Sequence, residues 1–265
     1  MKRLAVLGHP VEHSRSPAMQ NAALAALGIA DEWSYEAIDV ASDRFEERVR
    51  AMPGEGFVGA NVTIPHKEAA LVLADERSEV AREISAANTL SFEGGVVRAN
   101  NTDVGGLLRS LPGVPTGQPA LVLGAGGAAR AVIWALWRAG AEVAVWNRTE
   151  SRSRRLCEEL GGEVVVDPDP AAYELIVNAT SVGLGGEDPF AELPLDPGGF
   201  SSDQIVVDMV YGAGPTELLR AAEVGGAQTV DGLEVLVQQG ALSFQIWTGR
   251  EAPLDVMREA ARGNA

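Results

Sequence analysis

The stretch Ala120-Leu121-Val122-Leu123, followed at once by Gly124-Ala125-Gly126-Gly127-Ala128-Ala129, constrains the fold of this chain more than any other segment. A short apolar run ends on G-x-G-x-x-A, and an alanine-rich apolar segment continues to about Ala139, so the glycines sit between a buried strand and a helix. Gly124 suits the tight turn, Gly126 lets a phosphate approach the backbone closely, and Ala129 lets the helix pack on the strand. The helix N-terminus then offers unpaired N–H groups and a positive dipole end. Gly124, Ala125, Gly126, Gly127, Ala128 and Ala129 therefore predict a dinucleotide site within a βαβ unit. A P-loop is excluded, because no Gly-Lys-Ser/Thr follows.

The flanking sequence has the same rhythm. Strands are expected at Leu4 to Leu7, Tyr35 to Val40 and Phe57 to Val62, with helices from Pro17 to Leu27 and from Asp43 to Met52. Ser16-Pro17 reads as N-cap and first helical residue, and Gly28 as the stop. Pro65 is expected in the first turn of a further helix. A hairpin at Thr89 to Phe92 and Val96 to Ala99 precedes a short helix after Asn101-Thr102-Asp103. The breaker-rich run Pro112 to Pro119 marks a linker. Beyond the glycines come strand Glu142 to Trp146, helix Arg152 to Leu160, strands at Val164 to Val166, Leu175 to Asn178 and Ile205 to Met209, and helix Pro215 to Val224. In the last forty residues, Leu233, Leu236, Val237, Leu242 and Ile246 form a helical stripe. The whole predicts an α/β protein of two domains.

A net charge of -16 over 265 residues argues against nucleic-acid or anionic-membrane partners. With one cysteine and three histidines no disulfide or metal site is expected, and Gly8 and Pro10 spoil the spacing of His9 and His13. The apolar run at the N-terminus is too short for a secretory signal, so a soluble cytoplasmic protein is expected. Sequence leaves the oligomeric state open, a homodimer included.

The acidic chain concentrates Arg148, Arg152, Arg154 and Arg155 within eight residues. In NAD-binding folds an acidic residue about twenty positions past the glycines binds the ribose 2′-hydroxyl. Here the second strand ends Val145-Trp146-Asn147-Arg148-Thr149, with an arginine and no carboxylate. Arg148 and Arg152 predict a bidentate partner for a 2′-phosphate, and so NADP. Arg154 and Arg155 read better as a solvated helix face.

Lysine is scarce. Of 21 cationic residues only Lys2 and Lys67 are lysine, leaving 19 arginines. Arginine stays protonated, whereas a partly desolvated lysine can give and take a proton, which makes Lys67 a candidate acid/base against the ordinary alternative of a solvated surface lysine. It ends Asn61-Val62-Thr63-Ile64-Pro65-His66-Lys67 at a strand-to-helix junction, where sites form in α/β folds.

These motifs line up with Gly8-His9-Pro10-Val11-Glu12-His13-Ser14-Arg15-Ser16-Pro17, Ala87-Asn88-Thr89, Asn100-Asn101-Thr102-Asp103, Asn178-Ala179-Thr180-Ser181-Val182-Gly183 and Asp231-Gly232-Leu233. In order and spacing, over nearly the whole chain, the set resembles the shikimate dehydrogenase family. The resemblance implies a two-lobed fold with an N-terminal α/β substrate domain (1–102 with 238–265) and a Rossmann-type doubly wound NADP-binding domain (103–237). It implies an oxidoreductase that reversibly reduces 3-dehydroshikimate to shikimate with NADPH, on the route to chorismate and the aromatic amino acids. By the same resemblance Ser14 and Ser16 would hold the substrate carboxylate with Tyr211 nearby. Asn61, Thr63, Asn88 and Gln239 would bond the ring hydroxyls, and Lys67 with Asp103 would form the catalytic pair. Asn147, Arg148, Thr149, Arg152, Thr180, Met209, Val210 and Gly232 would join the glycines in holding NADP. Taken alone Ser16 reads only as a helix cap. The family often has histidine where this chain has Gln20, with little effect on chemistry expected. A quinate/shikimate dehydrogenase and a non-catalytic NADP sensor are the alternatives; Arg148 speaks against the first, Lys67 and Asp103 against the second. A serine hydrolase lacks its Gly-x-Ser-x-Gly elbow.

Overall fold

The computed structural model describes residues 1–212 and 214–263. The chain divides into two compact units, Met1–Gly106 with Leu236–Ala265, and Leu107–Val235.

Unit 1 begins with β1 (Lys2–Gly8), α1 (Ser16–Ala26), β2 (Trp33–Asp39), α2 (Phe45–Ala51) and β3 (Phe57–Val62). It continues with α3 (Lys67–Leu73), β4 (Glu76–Arg77), α4 (Glu79–Glu83), β5 (Thr89–Glu93) and β6 (Val96–Asn100), and reaches α5 (Asp103–Ser110), within which the chain passes to unit 2. The six strands run in the order β2-β1-β3-β5-β6-β4. β2 and β3 flank β1 in parallel, while β5 is antiparallel to both β3 and β6. Leu7, Phe45, Val49, Met52, Phe57, Val62 and Leu90 are buried together beneath α2 and α3. The register that sets Asn61 opposite Thr89 brings the polar ends of β3 and β5 side by side.

Unit 2 holds β7 (Pro119–Leu123), α6 (Gly127–Arg138), β8 (Glu142–Trp146), α7 (Glu150–Leu160), β9 (Glu163–Val164) and β10 (Leu175–Asn178). After these come α8 (Pro189–Glu192), β11 (Ile205–Asp208), α9 (Glu217–Val224) and β12 (Gln228–Asp231). Its strands are ordered β12-β11-β10-β7-β8-β9, all parallel, which is the doubly wound arrangement with its switch point between β7 and β10. Such strands are covered on both faces, so β7 and β10 are continuous apolar runs without alternation. The chain re-enters unit 1 inside α10 (Gly232–Thr248) and ends on α11 (Leu254–Arg262), which packs on α1.

Several local expectations change. Ser16 is the first residue of α1 and caps nothing with its side chain; Ser14 Oγ accepts from Ser16 N–H at 3.3 Å instead. Pro65 lies before α3, which starts at Lys67. The division between the units falls inside α5, ahead of the Pro112 to Pro119 run, because the first turn of that helix is bonded into unit 1. β12 has no counterpart in the sequence reading: four residues, three of them polar, leave no pattern to read.

Candidate active site

In unit 1, Asn61, Lys67, Asn88, Asp103 and Gln239 converge on one buried hydrogen-bond network, while Thr63, Ser14 and Ser16 stand outside it. Val62 N donates to Asn88 O at 2.8 Å, Ala87 N to Lys67 O at 2.8 Å and Asn88 N to Asn100 O at 3.1 Å, so the ends of β3, β5 and β6 and the start of α3 are tied through the backbone. Lys67 Nζ then donates to Asp103 Oδ2 at 2.7 Å, their side chains 13% and 10% exposed. Asp103 opens α5 with its N–H on Asn101 Oδ1 at 3.0 Å. Its second oxygen, Oδ1, accepts from Asn88 Nδ2 at 2.7 Å. Buried in this way the ion pair needs good geometry to offset its desolvation, and each carboxylate oxygen has its own donor.

Asn88 is oriented by its own partners. Thr102 N–H donates to Asn88 Oδ1 at 2.8 Å, which turns Nδ2 toward Asp103 Oδ1, Thr102 Oγ1 and Gln239 Oε1. Two amide hydrogens face three acceptors, so Asn88 can exchange one partner for a ligand oxygen. Gln239 donates through Nε2 to Leu236 O at 2.8 Å and presents Oε1 to Asn88. It is pressed from the side by α5: a Cβ on Gly106 would lie 2.6 Å from Gln239 Cβ and 2.9 Å from its backbone nitrogen. Asn61 differs. Its Oδ1 accepts from Tyr35 O–H at 2.7 Å, and its Nδ2 faces Ser243 Oγ, Asn88 O and Thr89 Oγ1 within 3.2 Å. Every polar atom of that side chain is therefore engaged inside the protein.

Thr63 follows β3, its methyl against Gly8, the last residue of β1. Ser14 stands in the loop leading from β1 into α1, and buried Ser16 opens α1. Gln20 is completely buried and donates from Nε2 to Gly240 O at 3.0 Å, which fastens α1 to the turn of α10 beside Gln239. Sequence reading missed His66 as a structural group. It stacks on Phe45 with ring centroids 4.4 Å apart and its Nε2 meets Val40 O at 2.7 Å; burial holds its pKa below the ordinary value.

In unit 2 the glycine turn lies at the switch point. Gly124 has φ +116, and a Cβ there would come within 2.9 Å of Ala179 O on the neighbouring strand end, so both the turn and the crossing exclude a side chain. Gly126 is the opposite case: nothing lies within 4 Å of an added Cβ, and it precedes α6 with no side chain capping that helix. The open approach, with the first N–H groups of α6 unfilled, fits a pyrophosphate. Ala125, Gly127 and Ala128 line the same turn half-exposed, and Ala129 is buried against the sheet. Gly124 N donates to Trp146 O at 2.8 Å, which puts the Asn147-Arg148-Thr149 loop next to the turn. Asn147 Nδ2 donates to Thr149 O at 2.9 Å. Arg148 is 82% exposed and reaches Glu192 Oε2 at 3.1 Å, while Arg152 stands exposed in the first turn of α7. Arg154 pairs with Glu150 and Arg155 with Glu159, as helix-surface charges do.

Beyond β10, Asn178 Oδ1 accepts from both N–H and O–H of Thr180, and Asn178 Nδ2 donates to Asp208 Oδ1 at 2.9 Å. Asp208 also takes Val210 N–H and Thr216 O–H; burial raises its pKa against those three donors, which act to lower it. Met209 and Gly232 are tight neighbours, a Cβ on Gly232 meeting Met209 O at 2.6 Å. Val210 and Tyr211 line a cavity of ≈ 280 Å³ together with Asp208, Thr216 and Leu184. Among the described residues no cluster could hold a metal ion, and no helix is long and apolar enough to cross a membrane.

Family comparisons agree with this geometry along the chain. Residues 6–90 match the shikimate dehydrogenase substrate binding domain, 109–181 the shikimate / quinate 5-dehydrogenase family, and 232–262 the shikimate 5′-dehydrogenase C-terminal domain. A shikimate dehydrogenase (NADP(+)) of Methanopyrus kandleri is 46% identical over 96% of this chain and 93% of its own length. The chain belongs to the shikimate dehydrogenase family. Within that family, the shikimate dehydrogenase (NADP(+)) of Thermus thermophilus is also 46% identical, covering 99% of this chain and 98% of its own. The crystal structure of the Thermus enzyme in complex with NADP(H) and shikimate superposes with a TM-score of 0.91 at 45% identity, covering 99% of each chain. The Rossmann-like unit expected from the glycines and the mixed α/β N-terminal unit are thus both present in this shikimate dehydrogenase relative.

Proposed function

We propose that this chain catalyses the NADPH-dependent, reversible reduction of 3-dehydroshikimate to shikimate. The observation that carries the reading is the buried Lys67–Asp103 pair, 2.7 Å apart, with Asn88 on the second carboxylate oxygen. Unit 1 would bind the hydroxy acid and unit 2 NADP. The α6 N-terminus and Gly126 receive the pyrophosphate, and Arg148 with Arg152 receive the 2′-phosphate. Asn147, Thr149, Thr180, Met209, Val210 and Gly232 complete the cofactor's surroundings.

NADPH when bound supplies the hydride that the carbonyl carbon accepts. As that bond forms, the carbonyl oxygen gains negative charge and needs a proton. Lys67 donates it from Nζ, and the resulting amine recovers a proton from solvent before the next turnover. Asp103 keeps Nζ in place through Oδ2. Asn88 and Gln239 hold ring hydroxyls, which orients the carbonyl toward Lys67, and Thr63 adds a hydroxyl beside Gly8. Ser14 and Ser16 bond the carboxylate. Asn61, its side chain engaged with Tyr35 and Ser243, shapes this surface from beneath.

The test is a spectrophotometric assay at the reduced-nicotinamide band with shikimate and quinate, each with NADP and NAD. Shikimate with NADP should be the preferred pair. Comparable turnover of quinate would move the assignment to a quinate/shikimate enzyme, and no turnover of either would sink it.

A further inference from the structure

We propose that Ser243, on α10, is a positioning residue for the Lys67–Asp103 pair, acting through Thr89, Thr102 and Asn88. The inference rests on the reading of Lys67 and Asp103 as the proton-transfer pair. Ser243 is fully buried among polar atoms in a protein interior where most helix residues face apolar neighbours. Its Oγ accepts from Asn61 Nδ2 at 3.0 Å and lies 2.8 Å from Thr89 Oγ1, 3.0 Å from Thr102 Oγ1 and 3.1 Å from Gln239 O.

Hydrogen counting gives this cluster a direction. Tyr35 has one hydroxyl hydrogen, and it goes to Asn61 Oδ1. The Asn61 amide must then point its hydrogens at Ser243. Ser243 Oγ accepts from Asn61 and donates its one hydrogen to the Gln239 carbonyl at 3.1 Å, which leaves its second lone pair to the Thr89 and Thr102 hydroxyls, 2.8 and 3.0 Å away. Thr89 O–H also donates to Asn88 Oδ1 at 2.9 Å. That oxygen also takes Thr102 N–H, so Asn88 keeps both amide hydrogens for the other side, where Asp103 Oδ1 is its nearest acceptor at 2.7 Å. Chains of this kind polarise each link, and a break upstream weakens the last bond as well as the one removed. Loss of the Ser243 hydroxyl would remove the support behind the Thr89 and Thr102 hydroxyls and so loosen the hold of Asn88 on Asp103, and of Asp103 on Lys67.

No polar atom of Ser243 is open to a ligand, so the inference concerns placement rather than contact. The test is the single-turnover rate of NADPH oxidation by 3-dehydroshikimate in Ser243→Ala, in Asp103→Asn and in the double variant, with NADPH affinity measured by fluorescence. One buried hydrogen bond of this strength corresponds to about a tenfold slower rate in Ser243→Ala. NADPH affinity should stay within about twofold of the parent, since no phosphate contact is touched. In the Asp103→Asn background the same substitution should cost less than about twofold, because the group it acts through is already altered. Tyr35→Phe, which removes the first donor and leaves Ser243 in place, should give a smaller loss with the same non-additivity. An unchanged rate in Ser243→Ala, or an equal loss with and without the Asp103 carboxylate, overturns the positioning role. If Asp103→Asn alone reacted at the parental rate, the proton-transfer reading would fail first and the inference with it.

Discussion

Lys67 and Arg148 are both cations assigned to meet oxygen, and the two units hold them in opposite ways. Lys67 is nearly buried, its ammonium fixed on a carboxylate whose other oxygen is itself held by an amide. Arg148 lies out in solvent against Glu192. A proton donor must stand within hydrogen-bond reach of one atom at one moment, so its placement is worth the desolvation. A partner for a phosphate dianion needs only charge and a planar fork, and it gains from staying hydrated until the ligand arrives. One unit fixes a geometry; the other offers a field.

That contrast can be broken most decisively at Lys67. Lys67→Ala and Lys67→Arg should each lower kcat by at least about a hundredfold, the usual size of a general acid's contribution, with NADPH fluorescence titrations close to the parent. A Lys67→Arg enzyme of near-normal kcat would show that charge alone suffices in unit 1, and the two cations would then be alike. Arg148→Ala should act on the other side, lowering the NADP-over-NAD ratio in kcat/KM by about tenfold while leaving kcat with saturating NADP little changed. An unchanged ratio would remove Arg148 from cofactor choice. A still smaller effect separates recognition from capture: Glu192→Gln frees Arg148 from an exposed ion pair and should tighten NADP by no more than about threefold, an advantage that added salt erases.

Acid offers the finest comparison, because one buried group in each unit responds in opposite directions. His66 is kept below its ordinary value of 6.5 by burial, so as pH falls the unfolded chain takes the proton first. Unit 1 should lose protection in hydrogen exchange as pH drops below about 6.5, and His66→Gln should flatten that loss. Asp208 is pushed above its ordinary 3.8 by burial, so there the folded chain takes the proton first. Unit 2 should gain protection as pH falls toward about 4 through the raised value, and Asp208→Asn should remove the gain. Parallel behaviour of the two units would defeat both assignments.

What could be read from sequence follows from the range of each interaction. The strand, turn and helix around Gly124 are set by neighbours a few residues away, so their pattern is written in order along the chain. Lys67 stood out for a chemical reason, since arginine could not take the proton-releasing role proposed for it. By contrast, the partners of Asn61 are Tyr35, Thr89 and Ser243, and only the paired register of β3 with β5 and the return of α10 bring them together. Ser243 lies between Leu242 and Ile246 of the predicted stripe, and nothing in the neighbouring sequence marks it. His66 lay inside a quoted motif, yet nothing local says that its ring stacks on Phe45. Gln20 was legible as a helix residue, while its bond to Gly240 spans 220 positions.

Gly106 carries no functional group and makes no contact with any proposed ligand, but a side chain there would run into the backbone nitrogen and Cβ of Gln239. Gly240, one residue on, would meet chiefly the terminal methyl of Met19, which can swing aside. In a deep mutational scan scored by growth without aromatic amino acids, position 106 should therefore tolerate almost nothing, alanine included, and would be mistaken for a reactive centre. Position 240 should accept alanine. The map of intolerance would trace the space that Gln239 occupies rather than the list of groups that do chemistry.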